Sequence, residues 1–246
     1  MLFEILISTI LISLISLVGV FLVLLNKKTV DKVIYVIISL AAGALLATVF
    51  YELLPEAIEN LNLHEVFPFT LLGLVFFFIL EKFVHWHHGH SHHPEKKKPI
   101  AYLILAGDGI HNFFDGIAIA ASYLVSFELG VTTTIAVAMH EIPHEISDFA
   151  MLLHGGFSRK MALFWNLLSA LTAVVGGLIF FYLSGIIENI SYYGLAFTAG
   201  TFIYISCAAL LPELHEEKDV KKSIIQVMGI VVGAIIIILI VSGHSH

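Results

Sequence analysis

Apolar residues run through this chain in long uninterrupted blocks, not at the short period of a helix or strand that buries one face. A helix crossing the hydrocarbon core of a bilayer needs roughly 20 mostly apolar residues. Eight stretches reach that length, at about Leu2–Leu25, Val33–Ile58, Phe67–Val84, Ile100–Val125, Val131–Leu153, Ala162–Ser184, Tyr192–Leu214 and Ile224–Val241. The pattern predicts an all-α integral membrane protein, a single domain over residues 1–246 with eight transmembrane helices. The first block has no basic residue before it, only Glu4, and is too long for the apolar region of a secretory leader, so it reads as a retained spanning helix. The fourth, fifth and seventh blocks differ from the rest: they carry His, Asn, Asp, Glu or Pro at membrane depth.

Charge sets the orientation. All 12 Lys and Arg lie at alternate connections: Lys27, Lys28 and Lys32; Lys82 and Lys96–Lys98; Arg159 and Lys160; Lys218, Lys221 and Lys222. The positive-inside rule places those connections in the cytoplasm and both termini outside it. The other face carries Glu56, Glu59, Glu65, Glu128 and Glu188, an acidic mouth that favours cations. Composition agrees: 59% of residues are hydrophobic, 13% are charged, and the mean hydropathy is +0.96. Too few polar side chains exist to cover a soluble domain, so the bilayer is the expected solvent and a cell (inner) membrane the expected location. The net charge of −7 argues against a nucleic-acid partner. A lone cysteine, Cys207, excludes an intrachain disulfide and a thiolate ligand set, whereas 14 histidines direct attention to metal chemistry.

Two segments repeat. Ala42-Gly43 is followed by Leu53-Leu54-Pro55-Glu56 at the same spacing that separates Ala199-Gly200 from Leu210-Leu211-Pro212-Glu213. Given the orientation above, the second and seventh helices cross in opposite directions. The match therefore predicts an inverted repeat, helices 1–3 against helices 6–8, built around the fourth and fifth.

Those two central helices hold the chemistry. The fourth carries Asp108, His111, Asn112 and Asp115; the fifth carries His140, Glu141, His144, Glu145 and Asp148. Each ionisable side chain in hydrocarbon costs about 3 kcal/mol on insertion scales, so nine polar groups on two neighbouring helices need a shared reason. His111 and Asp115 are one turn apart on one face, as are His140 and His144, and Glu141 and Glu145; Asp148 continues the His144 row. A short connection at Phe127-Glu128-Leu129-Gly130 lets the helices pack antiparallel, so the two rows meet. Imidazole and carboxylate together suit Zn²⁺, and Fe²⁺, Mn²⁺ or Cd²⁺ less selectively; the lack of thiolate disfavours Cu⁺. His111, Asp115, His140 and His144 are the expected core, with Asn112 and Glu141 assisting or forming a second position. Asp108, Glu145 and Asp148 are accessory candidates. Pro143 is expected to open the fifth helix by removing a hydrogen bond to the Met139 carbonyl. Ligand histidines bind metal neutral, so acid is expected to weaken binding. Outside the membrane, residues 85–99 form a histidine-rich cytoplasmic loop in which His87, His88 and His90 are candidates for loose metal binding. Asn166 and Ser169 in the sixth helix read as hydrogen-bonding groups between helices.

The strings Gly107-Asp108-Gly109-Ile110-His111-Asn112-Phe113-Phe114-Asp115-Gly116 and His140-Glu141-Ile142-Pro143-His144-Glu145-Ile146-Ser147-Asp148-Phe149-Ala150 resemble the signatures of the ZIP (Zrt-, Irt-like protein) family of metal transporters, in its LIV-type branch. The resemblance covers essentially the whole chain. It implies a transport site at His111, Asn112, Asp115, His140, Glu141 and His144, a homodimer, and an elevator or rocking motion. Some family members hold two metals and draw an acidic residue from the sixth helix. Here that stretch, Ser169 to Gly177, has none, which argues against a fully occupied second position. His144 stands where those members carry a carboxylate, and His140 where some carry Glu; more imidazole shifts the preference toward zinc.

His140-Glu141-Ile142-Pro143-His144 also fits H-E-x-x-H, the zinc motif of metalloproteases, with Asp115 as a third ligand. An intramembrane protease is the rival reading. A polar row that continues to Asp148, a proline inside the motif and the repeat all favour a path for a travelling ion over a closed catalytic site.

Overall fold

The computed structural model describes residues 1–18, 27–88, 97–215 and 217–242. Helix accounts for the regular structure, and there is no strand among the described residues. We number the helical runs α1 (Leu2–Ile15), α2 (Lys27–Thr48, continued through Val49–Leu53 and Leu54–Asn60), α3 (Leu63–His88), α4 (Lys97–Val125), α5 (Phe127–His154), α6 (Arg159–Ala170 and Thr172–Ser184), α7 (Ile190–Tyr204, continued through Ile205–Leu210 and Leu211–His215) and α8 (Val220–Ser242).

Polar residues start these runs where the apolar blocks stop. Asn62 and Glu65 exchange bonds between side chain and backbone at the start of α3, with Glu65 N donating to Asn62 Oδ1 at 3.1 Å and Asn62 N to Glu65 Oε2 at 3.3 Å. Ser126 accepts from Leu129 N to cap α5, and Ser158 accepts from Met161 N to cap α6. Only Ser126 separates α4 from α5, so the chain reverses there. Gly156, at φ 89°, turns it again after α5.

Among the described residues, five helices are long and apolar enough to cross a membrane: Val33–Asn60, Leu63–Lys82, Arg159–Ser184, Ile190–His215 and Val220–Ser242. Their outward faces are apolar, with Phe67, Leu71, Val227 and Leu239 more than half exposed, as lipid-facing positions are. At 29 and 28 residues, α4 and α5 have the length. Their polar content sets them apart, and they occupy the middle of the bundle. α4 packs on α5, α6 and α7, and α5 on α4, α2 and α1.

Close backbone approach holds the outer pairs. A Cβ at Gly43 of α2 would meet the Ile230 carbonyl of α8, and one at Gly233 of α8 would meet the Leu40 carbonyl of α2. The α3–α7 pair repeats this reciprocally, with Gly200 against the Thr70 carbonyl and Gly73 against that of Phe197. Small residues permit this contact where lipid supplies no hydrophobic drive for association.

Proline acts where the sequence pattern did not foresee. α5 runs from Phe127 to His154 as one α-helix with Pro143 inside it, so the proline causes no change of helical type there. Changes of helical type lie in α2 and α7. Each widens into a π-helical stretch, Val49–Leu53 and Ile205–Leu210, immediately before a Leu-Pro-Glu sequence. Pro55 and Pro212 lack an amide hydrogen and crowd the carbonyl four residues back, which a wider turn relieves.

Side-chain hydrogen bonds tie α1 to the middle of the bundle. Ser8 meets Tyr123 of α4 at 2.9 Å, and Ser13 donates to the Ala170 carbonyl of α6 at 2.8 Å.

Candidate metal site

Four donor atoms from two helices converge at the centre of the bundle. His111 and Asp115 project from α4, and His140 and Glu141 from α5, all four buried. His111 Nε2 lies 3.2 Å from His140 Nε2, 3.3 Å from Glu141 Oε1 and 3.6 Å from Asp115 Oδ2. His140 Nε2 lies 3.3 Å from Asp115 Oδ2 and 3.4 Å from Glu141 Oε1. A tetrahedral zinc with bonds of about 2.0–2.1 Å holds its ligand atoms about 3.3–3.4 Å apart. Five edges of the group thus match the spacing a zinc ion imposes.

The polar atoms here are short of partners. Asp115 Oδ2, both oxygens of Glu141, Glu145 Oε1 and Asn112 Oδ1 are buried and accept no hydrogen bond. Unpaired carboxylate oxygens at this depth are costly, and a cation is the group that relieves them. The His140 ring is oriented from behind, its Nδ1 3.2 Å from the Ala136 carbonyl, which turns Nε2 toward the other donors.

A second group adjoins the first. Asp108, His144 and Asp148 bring donor atoms within 4.8 Å of one another. His144 Nδ1 lies 3.6 Å from Asp108 Oδ1 and 3.4 Å from Asp148 Oδ2, and its ring stacks on His111 with centroids 4.7 Å apart. The His144 side chain is 40% exposed, unlike the closed fourfold group. Asp108, Glu141 and Glu145 form a third trio, so Glu141 borders both regions.

Most of the candidates from the sequence therefore meet, but in a different grouping. Glu141, not His144, completes the fourfold set, and His144 turns to the two aspartates. Asn112 donates to Asp108 Oδ1 at 2.9 Å and to its carbonyl at 3.2 Å, orienting that carboxylate. α3 ends at His87 and His88, and His90 lies outside the described residues, as do residues 243–246.

α6 contributes more than a packing contact. Asn166 donates to Glu145 Oε2 and lies 3.4 Å from the Ser16 carbonyl; Ser169 donates to Asp108 Oδ2 and lies 3.0 Å from the Leu105 carbonyl. Thr172 donates to the Gly109 carbonyl at 2.5 Å. The three sit at intervals of three residues on one face of α6, a polar stripe visible in the sequence whose destination is not. Asn166→Leu removes the donor to Glu145. The expected result is a zinc affinity about 10-fold lower, at the lower end of the ~10–100-fold typical of residues that orient ligands. Equilibrium titration of the purified protein with zinc measures it.

A polytopic helical membrane protein with paired groups of metal donors at its centre is the class that fold and site define. A family model described as ZIP Zinc transporter matches residues 3–99 and 87–241. Relatives include the human protein named Zinc transporter ZIP10, 40% identical over 184 residues, which are 66% of this chain and 22% of that relative. Zinc transporter ZIP13 of Pongo abelii is 35% identical over 218 residues, 82% of this chain and 65% of the relative. The Zinc transporter ZIP13 homolog of Drosophila melanogaster is 42% identical over 142 residues, 56% of this chain and 40% of the relative. The chain belongs to the ZIP zinc transporter family, in its LIV-type branch. It spans about a fifth of the length of the ZIP10 relatives.

Proposed function

We propose that the chain carries Zn²⁺ into the cytoplasm, binding it at His111, Asp115, His140 and Glu141 and passing it to Asp108, His144 and Asp148. The carrying observation is the fourfold group: five donor separations between 3.2 and 3.6 Å, buried, with oxygens that lack other partners. The names of the relatives support zinc as the substrate. Two imidazoles among the four donors favour it over Mn²⁺ and Fe²⁺; Cd²⁺ is the closest competitor. The open side of His144 suits release, because a weaker and more hydrated second position lets the ion leave.

Eight spans with both termini outside remain the topology that the segregated lysines support, and with it the inward direction. The inverted repeat has support from three matched features. Two π-helical stretches precede the two Leu-Pro-Glu sequences. Gly43 and Gly200 hold equivalent places, each against a neighbouring carbonyl, and Gly73 and Gly233 return the contact in both pairs. Hydrogen bonds that tie α1 and α6 to α4 and α5 favour movement of those four helices as one body.

The protease reading requires His140 and His144 on one metal. Their donor nitrogens instead fall in separate groups, and a Glu141 oxygen lies among the donor atoms around His140, which favours a role in holding the ion over that of a general base. Reconstitution in vesicles decides between the two. Uptake of Zn²⁺ without cleavage of a membrane-anchored peptide is expected; cleavage without uptake would reverse the assignment.

A further inference from the structure

A carboxylate that no metal group uses lies toward the end of the bundle where Ser126 joins α4 to α5. Glu52 belongs to the π-helical turn Val49–Leu53 of α2. Its neighbours Phe50 and Tyr51 are more than half exposed, as lipid-facing residues are, whereas Glu52 is partly buried. Its carboxylate is within hydrogen-bonding reach of Thr132 on α5, a residue with no exposed surface. Glu52 therefore points into the seam between α2 and α5. Its Oε2 is buried and accepts no hydrogen bond. Thr132 already donates to the Glu128 carbonyl at 3.0 Å, and a neutral hydroxyl leaves the charge of the carboxylate uncompensated.

The position matters because of what lies above and below. Thr132, Ala136 and His140 follow one another at four-residue steps, so they share a face of α5. Thr132 and His140 are about 12 Å apart along the helix. Ala136 stands between them on that face, and its carbonyl is the one that orients His140. One turn in the other direction are Glu128 on α5 and Glu56 on α2. Glu128 and Glu56 at one end of the α2–α5 seam, Glu52 a turn further in, and the fourfold group about two turns beyond thus follow one another along the bundle.

We propose that Glu52 is a way-station for the incoming divalent cation, holding it with part of its water shell between the acidic mouth and the fourfold donor group. The assignment rests on the inward transport proposed above. A single carboxylate beside a neutral hydroxyl holds a divalent ion loosely, which suits a capture step: it raises the local ion concentration without trapping the ion.

Zinc uptake by the full chain in vesicles, measured against zinc concentration, tests this. Glu52→Gln is nearly isosteric and removes the charge. Its KM for uptake is expected to rise about 5–10-fold with the maximal rate nearly unchanged, the signature of lost binding without lost turnover. Equilibrium zinc binding at the fourfold group is expected to stay at the wild-type value, and Glu52→Asp to fall between the two in KM. An unchanged KM, a lowered maximal rate alone, or an equal loss of equilibrium binding would each overturn the proposal and leave Glu52 a structural residue. Failure of the wild-type protein to take up zinc would remove the transport reading itself, a different result. Should Glu52→Gln not reach the membrane, Glu52→Asp decides by the same KM criterion.

Discussion

His140→Ala is expected to abolish zinc uptake while the protein still inserts and folds. His140 Nε2 is within 3.2–3.4 Å of three other donors, His111, Asp115 and Glu141, so its removal opens the fourfold group on three edges. Changes that merely disorient a ligand cost metal sites about 10–100-fold in affinity, and loss of a ligand exceeds that range. The same substitution leaves the Asp115 and Glu141 carboxylates facing each other without the imidazole between them. Folding should tolerate this, because the cavity left by the five-atom imidazole ring is flanked by polar groups and admits water. Uptake of radioactive zinc by vesicles, with gel filtration to verify folding, measures the outcome. The order among neighbouring variants is the sharper test. With Glu141 in the closed group and His144 in the half-exposed one, Glu141→Ala is expected to lower equilibrium zinc affinity more than His144→Ala. The helix-face argument alone, with His144 in the core, predicts the reverse.

That reversal shows how far the sequence could be read. The long apolar blocks, the family signatures and the polar content of α4 and α5 were all legible, and most of the residues singled out do converge. The grouping was not. Identical spacing places His140 and His144 on one face, yet two antiparallel helices run past each other, so a step inward on α5 meets an earlier residue on α4. His140 therefore meets Asp115 and His111, whereas His144, a turn further, meets Asp108. Glu141, 100° around α5 from His140, joins the first group because the facing helix lies between the two rows. Proline is legible only in part: it forecasts a lost hydrogen bond but not a change of helical type, and α5 stays α-helical through Pro143. Pro55 and Pro212, near the ends of their helices, produce the π-helical stretches instead. Asn166 and Ser169 were legible as hydrogen-bonding groups, but their partners Glu145 and Asp108, and the bond from Thr172 to the Gly109 carbonyl, depend on which face of α6 turns to α4 and α5.

Gly116→Leu is expected to prevent the protein from folding to a stable, monodisperse form. Gly116 follows Asp115 of the fourfold donor group and faces α6 so closely that a Cβ there would overlap the carbonyl and Cα of Ala173. Gly176 of α6 makes the reciprocal approach to the Phe113 carbonyl of α4. Typical overpacking of a core costs about 1–3 kcal/mol because side chains yield. Here the obstacle is backbone on both sides, so relief requires α6 to move away as a unit. That movement separates Ser169 from Asp108 and Thr172 from the Gly109 carbonyl, leaving buried polar groups unpaired at about 1–3 kcal/mol each. The sum rivals the whole stability of an ordinary domain, about 5–15 kcal/mol. Even Gly116→Ala carries the offending Cβ and is expected to lower the melting temperature markedly. Gly185→Ala provides the control, since a Cβ there meets nothing nearer than the Tyr182 carbonyl at 3.6 Å. Thermal melting and gel filtration of the three variants in detergent separate them. A folded Gly116→Leu protein with wild-type stability would mean that α4 and α6 are not held at this distance, and the polar ties from α6 to the inner carboxylates would lose their structural basis with it.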